Sequence, residues 1–197
     1  MDANIEDQED MQRLANGADD GLDCLMQRHS QRLFHYLFRM VQDESAAGDL
    51  AEEAFVRVYQ NRLKFKKGGK FTTWLYAIAT NLARDHIRSR SRHPHVSLDA
   101  HSTSDDHEAD FHDRMPDEQP NPAERLASSE KAQQVRQAIA DLPEDLRTPI
   151  ILSVYEEKSH IEIAEIVGCS AKAVEMRIYH ARTKLRDQLL DRKVRAS

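Results

Sequence analysis

A chain of 197 residues has room for one or two small domains, and this one carries 34 acidic against 28 basic residues, a formal net charge of −6. No apolar run approaches the length of a membrane span, the acidic start Met-Asp-Ala-Asn-Ile-Glu is unlike a secretory leader, and Cys24 and Cys169 stand alone without metal-ligand spacing. These features exclude an integral membrane protein and a disulfide scaffold, and they fit a helix-rich protein of the reducing cytoplasm that needs no cofactor and no metal.

In chain order, residues 1–20 hold seven acids and one base. Met11–Asn16 reads as a short helix ended by Gly17. A longer helix follows over about Asp20–Met40, with Leu22, Leu25, Met26, Leu33, Leu37 and Met40 at core spacing. A third, about Ala46–Leu63, places Leu50, Ala54, Phe55, Val58 and Tyr59 on one side and Asp49, Glu52, Glu53 and Arg57 on the other. Lys64-Phe65-Lys66-Lys67-Gly68-Gly69-Lys70 reads as a loop. A fourth helix from Phe71 to about Ser91 turns Phe71, Trp74, Leu75, Ile78, Leu82 and Ala83 inward. Its opposite surface offers Thr73, Tyr76, Thr80, Asn81, Arg84 and Arg88. Residues 57–92 carry ten bases and one acid, so the negative mean conceals a surface able to meet phosphate.

Residues 93–129 hold nine acids, two bases, four of the six prolines and five of the ten histidines. Such a stretch buries too little apolar surface to offset its ordering entropy and reads as a flexible acidic linker. Fully extended it reaches about 120 Å at ~3.3 Å per residue. Helical periodicity resumes near Pro122–Ala123 and continues through Ala132, Val135, Ala138 and Ile139. No alternating pattern is long enough for a sheet. The fold class expected is all-α, with two small helical domains (residues 1–92 and 130–197) joined by the linker.

The stretch Ser159–Arg186 is the most specific. Two helical patterns, Ser159–Val167 and Ala171–Leu185, are separated by Gly168, Cys169 and Ser170 alone. Ser159 and Glu162 form a capping box, Ile161, Ala164 and Ile166 or Val167 supply an apolar stripe, Gly168 suits a left-handed helix end, and Ser170 caps the next helix. Val174, Ile178, Ala181 and Leu185 recur at helical spacing, while Lys172, Arg177, Tyr179, His180, Arg182, Lys184 and Arg186 fill the other faces. This is the pattern of a helix-turn-helix whose second helix enters a major groove.

Three stretches in register carry a family likeness: Asp49-Leu50-Ala51-Glu52-Glu53-Ala54-Phe55-Val56-Arg57-Val58-Tyr59, then Phe71-Thr72-Thr73-Trp74-Leu75-Tyr76-Ala77-Ile78-Ala79-Thr80-Asn81-Leu82-Ala83, then Leu142-Pro143-Glu144 through Arg186. Over about Leu22–Leu190 the chain resembles the extracytoplasmic-function (ECF) sigma factors of bacterial RNA polymerase. The resemblance implies a first domain that binds the polymerase clamp and opens the promoter at its −10 element, and a second that reads the −35 element. It places core-polymerase binding on Asp49, Glu52 and Glu53. It places single-stranded −10 DNA on Arg62, Lys64, Lys66, Lys67, Lys70, Tyr76, Thr80, Asn81, Arg84 and Arg88, where lysines suit phosphates, Asn81 a base edge and Tyr76 stacking.

The −35 contacts implied are Lys172, Glu175, Met176, Arg177, Tyr179, His180 and Arg182, with Arg177 and Arg182 nearer the backbone. Glu175-Met176 stands where the family more often has a basic residue followed by Ser. Glu can accept from a cytosine amino group and Met can touch a thymine methyl, so a different −35 sequence is implied. The partners implied are core RNA polymerase, promoter DNA and an anti-sigma factor, through which alone a membrane would be approached. Arg177 alternatively pairs with Glu175 or a neighbouring acid.

Two other readings fit parts of the chain. A DNA-binding regulator acting without polymerase would use the helix-turn-helix, but it would leave the first cationic region unexplained and would want a dimerisation helix. A metal- or pH-responsive linker would use His101, Asp105, Asp106, His107 and His112, which lack fixed spacing. No nucleophile motif or phosphate loop suggests an enzyme.

Overall fold

The computed structural model describes residues 3–92 and 132–195, with side chains described through residue 190. The linker and its histidines lie outside the described residues. All described elements are helical: α1 (Ala3–Ala15), α2 (Asp20–Val41), α3 (Glu44–Gln60), a 3₁₀ turn (Arg62–Lys64), α4 (Phe71–Arg92), α5 (residues 132–140), α6 (Glu144–Val154), α7 (His160–Val167) and α8 (Ala171–Arg195). No helix among them is long and apolar enough to cross a membrane.

In the first lobe α2 is the central helix, packed by α1, α3 and α4. Leu25, Leu33, Leu37 and Met40 are buried as their spacing predicts, together with Tyr36. Small residues Ala47, Ala51 and Ala54 are buried along α3, so backbones approach closely there, and Phe55 and Val58 fill the space beyond. Asp43 caps α3 two residues earlier than expected, its side chain accepting from the Ala46 amide at 3.0 Å.

Helix α1 is twice the expected length. Its Asp7 and Asp10 are buried rather than solvated, because Arg28 of α2 donates to both and His29 Nε2 lies 2.8 Å from Asp7 Oδ1. Charge pairing, not an apolar stripe, thus fastens much of this helix. Gly21 permits the close approach of α1 and α2: a Cβ there would sit 2.5 Å from the Asp10 carbonyl oxygen.

In the second lobe, α6, α7 and α8 pack on one another around Leu146, Ile150, Ile151, Ile163, Ile166, Val174, Ile178 and Ala181. Ile161, expected on the buried stripe, is 67% exposed; the stripe runs instead through Ile163, Ala164 and Ile166. The two lobes are also packed on each other, α7 against α4 and α6 against α2. Arg147 of α6 spans the joint, donating to the carbonyls of Met40 and Leu142, each at 2.9 Å.

Gly21→Ala gains up to about 1 kcal/mol of helix propensity but forces two backbones apart, an overpacking cost of about 1–3 kcal/mol. Net destabilisation is expected, read as a lower urea midpoint. A rise in midpoint would mean that α1 and α2 can separate without penalty.

Candidate polymerase and nucleic-acid interfaces

On α3, Asp49 and Glu52 are exposed, and the half-buried Glu53 pairs with Arg57 at 2.8 Å. The three acids stand at one side of a helix whose opposite side is core. Val56, within the same helix, is 47% exposed.

The segment after α3 begins with an arginine held in place. Arg62 donates to the Tyr59 carbonyl at 2.9 Å, and its guanidinium lies 4.5 Å from the centre of the Tyr59 ring. Lys64 donates to Asn61 Oδ1 at 2.8 Å. Lys66 and Lys67 are exposed and make no ion pair among the described residues. Phe65 anchors the loop by packing on Trp74 and Phe71, with ring centroids at 5.3 and 6.3 Å. Gln8 of α1 ties its far end, donating to the Gly69 carbonyl at 3.2 Å. The loop is therefore rigid at its ends, with its lysines outward. Leu63, 76% exposed, projects beside them.

The α4 surface differs from its sequence reading. Asn81 and Arg88 are exposed as expected. Thr73, Tyr76 and Thr80 are buried, which corrects their assignment to an open polar face. Thr80 Oγ1 donates to the Tyr76 carbonyl at 2.6 Å and meets the Tyr36 hydroxyl at 2.7 Å. The Tyr76 hydroxyl donates to Glu156, and burial followed by that neighbouring carboxylate pushes its pKa well above the ordinary phenol range. Lys70 and Arg84 carry their positive charge into pairs with the second lobe: Lys70 Nζ to Glu162 Oε1 at 2.7 Å, and Arg84 Nε to Glu144 Oε1 at 2.6 Å.

In the helix-turn-helix, Ser159 Oγ accepts from the Glu162 amide and Glu162 reciprocates at the Ser159 amide, so the capping box is complete. Gly168 ends α7 at φ 71°, ψ 45°, a left-handed conformation, and Ser170 Oγ accepts from the Ala173 amide at 3.2 Å. These local contacts fix the angle at which α8 leaves α7. Lys172, Glu175, Met176, Tyr179, His180 and Arg182 are all exposed along α8. Lys172 pairs with Glu175 at 2.9 Å and lowers the pKa of that carboxyl. Arg177, half-buried, points elsewhere, its guanidinium 3.7 Å from Cys169 Sγ. Among the described residues neither Glu175 nor another acid pairs with it. Among the described residues no cluster of three or more His, Cys, Asp or Glu side chains is arranged to hold a metal.

Comparison with known proteins follows this division of labour. The Sigma-70 region 2 model matches residues 25–93 and the Sigma-70 region 4 model residues 132–185. The RNA polymerase sigma-H factor of Pseudomonas aeruginosa is 33% identical over 177 residues, 90% of each chain, and the ECF sigma factor SigW of Bacillus subtilis 33% over 181 residues, 92% of this chain and 95% of its own. The chain belongs to the ECF sigma factors. The solved structure of CnrH in complex with the cytosolic domain of CnrY superposes with a TM-score of 0.67 at 25% identity, covering 94% of this chain and 97% of that one. RpoE of Bartonella quintana, solved with the anti-sigma factor NepR, shares the fold at a TM-score of 0.66 and 20% identity over 87% of this chain and 97% of its own. The sigma factor described here thus directs promoter-specific initiation by core RNA polymerase, with region 2 acting at the −10 element and region 4 at the −35 element.

Glu162 gives this architecture a pH signature. Burial opposes its charge, but hydrogen bonds from Lys70 and from the Ser159 side chain and amide outweigh burial and hold the carboxyl at about 2, against an ordinary 4.5. Because its folded pKa is depressed, its stabilisation is complete above pH 4.5 and is lost as pH falls toward 2. In Lys70→Ala, carboxyl NMR should show Glu162 titrating closer to 4.5, and the stability gap from wild type should shrink under acid. An unmoved titration would show that the Lys70 contact is absent in solution.

Proposed function

We propose the following residue assignments for this sigma factor. Asp49 and Glu52, with Glu53 behind them, dock on a basic surface of the polymerase clamp. The outward lysines of the loop, Lys64, Lys66 and Lys67, with Arg62 at its base and Lys70 at its end, track the backbone of the opened −10 strand. Asn81 hydrogen-bonds an extruded base, while Arg88 and Arg84 hold flanking phosphates. In region 4, Glu175, Met176, Tyr179 and His180 face the −35 bases, Lys172 and Arg182 the backbone. The observation that carries the reading is the coexistence in one chain of a base-reading helix exposed on one lobe and a tied cationic loop beside an exposed Asn81 on the other. A double-stranded-DNA regulator has no use for the second.

The division of labour has a physical basis. Duplex bases are read in the major groove by a helix, whereas a flipped base must be caught after unstacking that costs a few kcal/mol. The capture site is therefore a preformed pocket edge rather than a groove-filling rod. No bond is made or broken by the chain, so the factor is not an enzyme and works by binding energy shared with polymerase in the cytoplasm. RpoE of Bartonella quintana is bound by an anti-sigma factor, and this chain is proposed to be restrained in the same manner. Glu175 and Met176 are proposed to select a −35 sequence distinct from the commonest one.

Run-off transcription with purified core polymerase on a genomic fragment library tests the whole reading, since transcripts and their start sites report activity and promoter together; no transcript above core enzyme alone would overturn it. Asn81→Ala removes one base contact worth about 1–3 kcal/mol. Permanganate footprinting of opened promoter should fall about tenfold while affinity for core enzyme is unchanged. Asp49→Lys with Glu52→Lys should show the reverse, losing core binding first. Equal losses in both variants would refute the separation of roles.

A further inference from the structure

Helix α8 opens with a lysine where its own stability asks for an acid. Its first turn holds no acidic residue, and Lys172 occupies the second position. A helix N-terminus carries partial positive charge, so a cation there is disfavoured, and a Lys–Glu pair supports a helix less in this order than with the acid first. Lys172 nevertheless donates to Glu175 Oε2 at 2.9 Å. Both side chains are largely exposed, 74% and 53%, and such a pair contributes little to stability. Helix stability therefore does not account for the arrangement.

Its place on the helix does. Positions 172, 175, 176 and 179 follow one another at helical steps, so Lys172 stands on the same exposed stripe as Glu175, Met176 and Tyr179. A carboxylate can accept from a cytosine amino group, but it must enter a groove walled by phosphates that repel it. Arg177, two residues on from Glu175, is turned to Cys169 instead, which leaves Lys172 to screen the acid. The Lys172 ammonium, by hydrogen bond and then by charge, lowers the pKa of the Glu175 carboxyl, and His160 at the start of α7 adds a smaller pull in the same direction. An ammonium has three donors, so one can hold Glu175 while the others meet a phosphate. We infer that Lys172 is a positioning residue for base reading: it holds the Glu175 carboxylate in the major groove against phosphate repulsion, aimed at the amino group of a cytosine in the −35 element. This rests on the assignment of the exposed α8 stripe to −35 bases and adds to the backbone contact given to Lys172.

Holoenzyme, the full-length factor with core polymerase, can be made to select from duplex promoters randomised across the −35 element, with the retained pool sequenced. Wild type should enrich cytosine at one −35 position about tenfold over the other bases, as one hydrogen-bonded base contact allows. Glu175→Gln should lose that preference, since its amide suits adenine. Lys172→Met should lose it too, whereas Lys172→Arg should keep most of it. In the Glu175→Gln background, Lys172→Met should weaken retention of all sequences alike and leave base preference where it was. A lysine serving the backbone alone would weaken retention uniformly in both backgrounds with the cytosine preference intact; that result would overturn the positioning role and leave Glu175 as a base reader. A pair that only steadies the helix would lower the urea midpoint of Lys172→Met without moving the preference, and would overturn the positioning role as well. Identical preferences for wild type and Glu175→Gln at every position would overturn the base-reading assignment of Glu175 and the inference together.

Discussion

A line of hydroxyl groups runs from the interior of region 2 to the edge of region 4, and the placement of α2, α4 and the α6–α7 turn follows from it. Tyr36 meets Thr80, Thr80 donates to the Tyr76 carbonyl, and Tyr76 donates to Glu156. Burial raises the pKa of both tyrosines, so each keeps its proton at any physiological pH and remains a donor. A buried carboxylate without a donor costs several kcal/mol. Glu156 therefore stays seated only while Tyr76 faces it, and the phenol ring is unavailable to anything else during that time.

This constraint divides the polar side chains of α4 into two stripes. One carries Asn81 and Arg88 and lies open. The other carries Tyr76, Thr80 and Arg84 and is occupied from within. The loop before the helix is shared between them, since its middle lysines are exposed whereas Lys70 at its end is paired. As folded, region 2 leaves Lys66, Lys67, Asn81 and Arg88 exposed while Lys70 and Arg84 are paired. Helix α8 has no such dependence, because its exposed side chains Glu175, Met176, Tyr179 and His180 make no contact with region 2 among the described residues and its entry angle is set by caps within α7 and the turn.

What could be read directly from sequence was whatever is decided within a few residues. The helix-turn-helix is of that kind: a serine three places before a glutamate, a glycine that takes positive φ, and a serine two residues later suffice. The aliphatic spacing of α2 is another. The misreadings share one cause, which is polar side chains that find distant partners. Asp7 and Asp10 look solvated until Arg28 and His29, one helix away, are brought to them, and so most of α1 was not foreseen. Thr73, Tyr76 and Thr80 look like surface because their oxygens want partners. For Tyr76 and Thr80 those are Glu156, 80 residues on from Tyr76, and Tyr36, 44 residues back from Thr80. Arg177, similarly, settles on a cysteine sulfur that no charge pattern would nominate. Ile161 shows the converse, an aliphatic residue left outside because Ile163, two residues on, joins Ala164 and Ile166 in the buried stripe instead.

Helix α1 lies wholly ahead of the stretch matched as Sigma-70 region 2, which begins at residue 25. Physically, however, it is inside that module: it supplies the anions that neutralise Arg28, and its Gln8 pins the hinge of the cationic loop at Gly69. The family boundary and the folding boundary are therefore not the same line. A fragment trimmed to the former would strand a guanidinium and an imidazole on bare helix and untie the far end of the loop. Dissection of this factor into autonomous halves has to begin at its first helix.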